Sequence, residues 1–136
     1  MTEERTNPDP SANNGIARIE KAWENREGPS ILVTVDETKK PNAIYVSEIG
    51  FLQGEGFVVA NNYLKKTYAN LRAGNPGSIL FLTKERKSFQ VKGALTYHTS
   101  GPVFDFMKSW HDPKHPGLGA VLLRVEEAYS GAERIL

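Results

Sequence analysis

Hydrophobic positions along this chain follow two rhythms, and the changes between them mark its elements. Ile16, Ile19 and Trp23 recur at helical spacing, which predicts a short amphipathic helix over residues 15–26, stopped by Gly28 and Pro29. Residues 30–35 are rich in β-branched side chains and predict a strand. Residues 36–42 are polar and contain Pro41, which predicts a hairpin loop, with residues 43–47 as the returning strand. Gly50, Gly54 and Gly56 break the next stretch into a bend and a turn. Residues 57–60 are almost wholly apolar and read as a central strand.

The period then changes. Leu64, Tyr68 and Leu71 have helical spacing, and Gly74-Asn75-Pro76-Gly77 ends that helix. Residues 78–83 and 89–98 predict two strands, the second the longer. Gly101 and Pro102 open a helix with Phe104, Met107 and Trp110 on one side, and Pro113 and Pro116 end it. Residues 118–125 form a last long strand, where Gly119 and Ala120 leave room for close packing, and residues 126–136 are left open. About six strands with short links and three helices predict a mainly β chain, antiparallel and closed as a small barrel with covering helices.

Composition narrows the function classes. The chain has 136 residues, 39% hydrophobic and 24% charged, as in ordinary globular domains. That length suits one domain, expected over residues 15–136 after a polar, disordered tail at residues 1–14. No apolar run approaches the ~20 residues of a membrane span, and the start lacks the apolar stretch of a signal peptide. The chain has no cysteine, which excludes disulfides, thiolate metal sites and a Cys nucleophile and is compatible with a cytoplasmic location. The formal net charge is only +1. The basic run Lys84-Glu85-Arg86-Lys87 therefore reads as a solvated turn rather than a nucleic-acid patch, and no nucleic-acid partner is expected.

The stretch from Phe57 to Leu71 carries the most chemistry. A buried strand ending at Ala60 runs through Asn61 and Asn62 into a helix start bearing Lys65, Lys66 and Thr67. Free N–H groups and partial positive charge at a helix start, joined by an ammonium and a hydroxyl, make a phosphate cradle. The bland alternative is that Asn62 caps the helix and both lysines are solvated. The spacing alone leaves both readings open.

The order strand, Asn61-Asn62-x-x-Lys65-Lys66-Thr67-x-x-Asn70-Leu71, Asn75-Pro76, strand resembles the signature of the pyridoxamine 5'-phosphate oxidase-like FMN-binding proteins. Residues 31–47 resemble that family's opening hairpin. Val91-Lys92-Gly93-Ala94-Leu95-Thr96-Tyr97 followed by Ser100-Gly101-Pro102 resembles its strand-to-helix passage. The likeness spans about residues 30–125 and is strongest to the small flavin-binding members. It implies a six-stranded antiparallel split β-barrel, FMN as cofactor, and a homodimer with the flavin between subunits. Lys66 and Thr67 would hold the phosphate, with Lys65 nearby. Ala60, Asn61 and Asn62 would line the ribityl chain and ring edge, and Tyr45, Val46 and Ser47 would offer backbone groups to the ring. Leu136 would approach the partner's ring. True pyridoxamine 5'-phosphate oxidases carry a C-terminal arginine-bearing segment that grips substrate. The sequence ends at Glu133-Arg134-Ile135-Leu136, and that substrate is not expected.

Other candidates weigh less. Prolines separate His111 and His115 from any helical register, so they read as loop residues rather than metal ligands, with a substrate mouth or haem as the alternative use. His98 reads as a surface residue. Ser47 and Ser109 have no visible base partner. Asp36 and Glu37 read as turn residues, and Glu48 as a surface carboxylate beside the ring site rather than a tuner of it. Phe104, Met107 and Trp110, with Phe51, Tyr63 and Tyr68, read as core or subunit interface. The expectation is thus a flavin-dependent oxidoreductase exchanging electrons or hydride with a small-molecule donor or acceptor. The alternatives are a non-enzymatic FMN carrier or store, a deazaflavin or haem barrel, and a single-strand nucleic-acid barrel using Lys84, Arg86, Lys87 and Lys92.

Overall fold

Two antiparallel sheets share one apolar interior, because the central strand of the chain buries both its faces. The computed structural model describes residues 10–136. Helix α1 (Pro10–Glu24) leads into β1 (Arg26–Val35), β2 (Pro41–Val46), β3 (Ile49–Leu52) and β4 (Gly56–Asn61). After α2 (Lys65–Arg72) come β5 (Gly77–Thr83), β6 (Ser88–Gly93) and β7 (Leu95–His98). Helix α3 (Gly101–Trp110) precedes β8 (Gly119–Leu123), β9 (Glu127–Ser130) and β10 (Glu133–Arg134). One sheet has the order β10-β9-β6-β5-β1-β2 and the other β3-β4-β8-β7, giving the mainly β, antiparallel split barrel that the sequence predicts.

All six predicted strand segments form. One is divided, and β3, β9 and β10 are added among the described residues. The division falls at Ala94, so that β6 pairs in the first sheet and β7 in the second. Gly93 permits the crossing: a Cβ there would meet the Arg124 carbonyl oxygen at 1.6 Å. Pro41 is the first residue of β2 rather than part of the loop, a place where its missing N–H costs least. Helix α1 starts at Pro10, five positions before the expected Gly15, since proline fits a first helical turn. It also ends sooner, because Arg26 already pairs with Thr83 in β1. Of the tail expected over residues 1–14, residues 10–14 belong to this helix, and residues 1–9 lie outside the described residues.

Alternation along β4 explains its unbroken apolar run. Phe57 and Val59 enter the larger core with Trp23, Leu32, Ile79 and Phe81. Val58 and Ala60 face the other way, onto Val103 and Met107 of α3. Strand β8 repeats the division with Val121 and Leu123 on one face and Ala120 and Leu122 on the other. Trp23 packs edge-on against Phe57 and Phe81, with ring centroids 5.0 and 5.1 Å apart. Helix α2 packs Leu71 against the larger core and adds polar contacts. The buried Asn70 donates to the Thr34 hydroxyl at 3.0 Å, and Asn75 donates to the Asp36 carbonyl at 2.8 Å. These bonds fix the rotation of α2 above the β1–β2 hairpin.

Candidate functional site

Strand β4 ends at Asn61, and the three residues before α2 make the corner around which two cavities lie, with a third on the hairpin side of α2. Asn61 is 5% exposed. Its amide donates to the Tyr97 hydroxyl at 2.7 Å, and its side-chain oxygen accepts the Leu64 N–H at 3.0 Å. Gly119 makes the first contact possible, since a Cβ there would lie 2.3 Å from the Tyr97 hydroxyl oxygen. Leu64 is the N-cap of α2 and no side chain caps the helix. Asn62 is therefore not the cap, and no capping side chain takes the first-turn N–H groups.

Asn62 serves a different purpose. Its amide donates to Glu48 Oε1 at 2.6 Å, and its oxygen accepts the Gly117 N–H at 3.0 Å. Glu48 Oε2 accepts the Asp112 N–H at 2.5 Å. The Glu48 carbonyl also accepts the Ala60 N–H at 3.0 Å. Glu48 is thus a half-buried bridge and not the surface carboxylate of the sequence reading. The segment it holds, residues 111–117, is closed by His111 Nε2 against the His115 carbonyl at 2.9 Å.

Tyr45, Val46, Ser47, Glu48, Ala60, Asn62, Tyr63, Leu64 and His115 line a recess of about 280 Å³. A larger, mainly apolar cavity of about 760 Å³ shares Asn62, Tyr63 and Leu64 and adds Asn61, Lys65, Tyr68, Tyr97 and Leu118. Tyr63 is 70% exposed and Tyr68 41%, so of the two expected roles, core or subunit interface, the core role is excluded. Their rings face these cavities because Tyr63 packs edge-on to His115 and Tyr68 to Tyr97.

The third cavity, about 390 Å³, lies between α2 and the hairpin and is lined by Asp36, Lys40, Pro41, Asn42, Lys66, Ala69 and Asn70. The Nδ2 of Asn42 is buried with no hydrogen-bond partner. A buried amide left unpaired costs about 1–3 kcal/mol, so it calls for an acceptor. Two lysines share its cavity. Asp36 is the opposing charge, but its Oδ1 is occupied by the N–H groups of Thr38 and Lys40 and by the Thr38 hydroxyl. The Lys40 N–H, and then the Thr38 hydroxyl, hold its carboxyl below the usual range.

The predicted site residues therefore gather in two groups. Tyr45, Val46, Ser47, Ala60 and Asn62 meet at the recess, while Asn61 and Lys65 line the larger cavity beside it. Lys66 stands apart at the third cavity. Thr67 is 2% exposed and lines none of the three. Sequence reasoning missed Lys40, Asn42 and Tyr97. The available signal was a polar residue breaking strand alternation: Asn42 pairs with buried Thr34 across β1 and β2, and Thr34 in turn holds Asn70. Among the described residues no His, Cys, Asp and Glu cluster suits a metal ion, and no helix is long and apolar enough to cross a membrane.

Residues 19–130 match the family described as pyridoxamine 5'-phosphate oxidase. No curated protein sequence matches the chain. Among solved structures it is similar to HupZ of Group A Streptococcus, at 17% identity and a TM-score of 0.74 over 88% of this chain and 97% of that one. An FMN-binding protein from Syntrophomonas wolfei subsp. wolfei is 20% identical, with a TM-score of 0.69 over 85% and 88% of the two chains. HutZ, a heme storage protein from Vibrio cholerae, is 18% identical, with a TM-score of 0.60 over 84% and 92%.

Proposed function

The chain belongs to the pyridoxamine 5'-phosphate oxidase family, and from that premise we propose that it is an FMN-binding flavoprotein exchanging electrons or hydride with a small molecule. The observation that carries the reading is the partnerless, buried amide of Asn42 in one cavity with the ammonium groups of Lys40 and Lys66. A phosphate supplies the acceptor that this amide lacks and the negative charge that the lysines favour. The residues present thus fit the cofactor.

Strand β2 leads from that cavity to the recess. Five residue steps, from Asn42 to Ser47, span roughly 16 Å at strand rise. Such a distance suits a ligand with an anionic tail, a flexible chain and a planar head. Lys66 meets the tail with its side chain, while the buried Thr67 takes no part in this reading. Val46, Ser47, Ala60 and Asn62 border the head, and Asn61 and Lys65 the adjoining cavity. When bound, the isoalloxazine supplies the redox chemistry, and the chain supplies binding and orientation. The exposed rings of Tyr45 and Tyr63 and the Leu118 side chain support a homodimer that covers this face.

One observation favours a second reading. His115 lines the recess and its Nδ1 is buried without a partner, a group suited to haem iron. The absorption spectrum of the purified full chain separates the two. Paired bands in the near-ultraviolet and blue, lost on unfolding and restored by FMN but less well by riboflavin, are the expected result. One dominant violet band, restored only by haem, would replace the flavin reading with the haem one.

A further inference from the structure

One wall of the recess is a strap of chain that its neighbours hold in place. Residues 111–117 leave the end of α3, where Pro113 and Pro116 prevent further helix, and contribute His115 to the recess. The strap carries little apolar anchorage, since Asp112 and His115 are half-buried and Pro113, Lys114 and Pro116 exposed. Polar bonds hold it. At its start the Asp112 N–H reaches Glu48 Oε2 at 2.5 Å, and at its end the Gly117 N–H reaches Asn62 Oδ1 at 3.0 Å. Asn62 is itself bonded to the other oxygen of Glu48 at 2.6 Å. A single carboxylate therefore ties both ends of the strap to the β2–β3 connection, directly at one end and through Asn62 at the other.

Glu48 has no Lys or Arg within ion-pair distance among the described residues, so its charge is spent on these two neutral donors. Bonds from neutral donors to a carboxylate are stronger than neutral pairs. Gly117 suits this arrangement. Its φ is +54°, and a Cβ there would meet His111 Nε2 at 2.7 Å, so the strap turns back onto α3 only with glycine at that place.

We propose that Glu48 is a positioning residue: it holds the strap as a wall of the recess and so places the His115 imidazole against the planar part of the bound ligand. The inference rests on the flavin reading given above. Each Glu48 carboxylate oxygen already accepts one of these bonds, and because Glu48 also lines the recess the H115A background separates action through His115 from direct contact.

The test uses the full chain with E48A and E48Q. In the ligand-free protein, amide hydrogen exchange at residues 112 and 117 is expected to rise about tenfold or more in E48A while β4 and β8 stay protected. The dissociation constants of riboflavin and FMN should rise by one common factor, about tenfold, because the ring and not the phosphate is affected. E48Q keeps one acceptor oxygen and is expected to fall between E48A and the parent. In an H115A background the E48A effect on riboflavin should largely vanish, which a purely structural role would not produce. Unchanged exchange in E48A overturns the strap. Faster exchange with unaltered riboflavin binding, or equal E48A effects with and without His115, overturns the positioning role alone. If the parent chain binds neither flavin, the flavin reading falls and the positioning role falls with it.

Discussion

The recess and the hairpin cavity sit at opposite ends of β2 and are built on opposite terms. At the recess most polar side chains are matched, His115 Nδ1 excepted. Asn62 and Glu48 form one set of bonds there, Asn61 and Tyr97 a second set at the adjoining cavity, all between 2.5 and 3.0 Å, so a ligand finds chiefly backbone edges and rings. At the hairpin cavity the donors are in surplus: two lysines and one buried amide share it with a single carboxylate, whose Oδ1 is already engaged. A saturated network gives shape, because it keeps its geometry whether or not a ligand is bound. A surplus of donors gives affinity for an anion, because binding relieves a cost the free protein bears. On the proposed reading, shape selection of a planar group and charge selection of a phosphate would be separated along one strand.

Variants at the two ends should behave differently. The largest effect is expected at the saturated end. Asn61→Ala strips partners from the Tyr97 hydroxyl and the Leu64 N–H, both in partly buried surroundings, and should destabilise the ligand-free chain by about 2–4 kcal/mol. The urea midpoint measures this, and a loss below about 1 kcal/mol would mean the network is not preorganised. At the surplus end, Lys66→Ala should leave the urea midpoint nearly unchanged and weaken FMN by about 1–3 kcal/mol, with riboflavin indifferent. Equal losses for the two ligands in titration calorimetry would remove Lys66 from the phosphate. The smallest and most pointed effect is Asn42→Leu. Replacing an unpartnered buried amide by an apolar group of similar size should be neutral, or stabilising by up to about 1 kcal/mol, while FMN binding weakens. A clear loss of stability in the ligand-free chain would show that the amide already has a partner and would erase the contrast between the ends.

Much of the fold was legible before the structure. The run at residues 57–60 announces a strand buried on both faces, and the change of period at Leu64 announces α2. Two errors have one origin. Residues 89–98 read as one strand because alternation continues past Gly93, yet the partner strands belong to different sheets. Tyr63 and Tyr68 read as core or subunit interface because aromatic side chains are usually covered, yet no element of the described residues covers them, so the core half of that reading fails. The site was legible as a neighbourhood but not as a division of labour. Lys65 and Lys66 are adjacent in sequence, but successive helical residues point about 100° apart, so they line different cavities.

What the sequence determined by itself is therefore local: the strand and helix periods, the breaks at Gly and Pro, the absence of thiols, and a corner of Asn and Lys residues resembling a known phosphate-binding signature. These follow from short-range backbone sterics and from the need to bury one face of each element. Only the tertiary structure decided that Asn42 has no partner, that Glu48 holds a segment more than 60 positions away, and that Thr67 is turned inward. Each is a question of what lies opposite a side chain. The chain answers it only when β2, α2 and the segment after α3 meet in space.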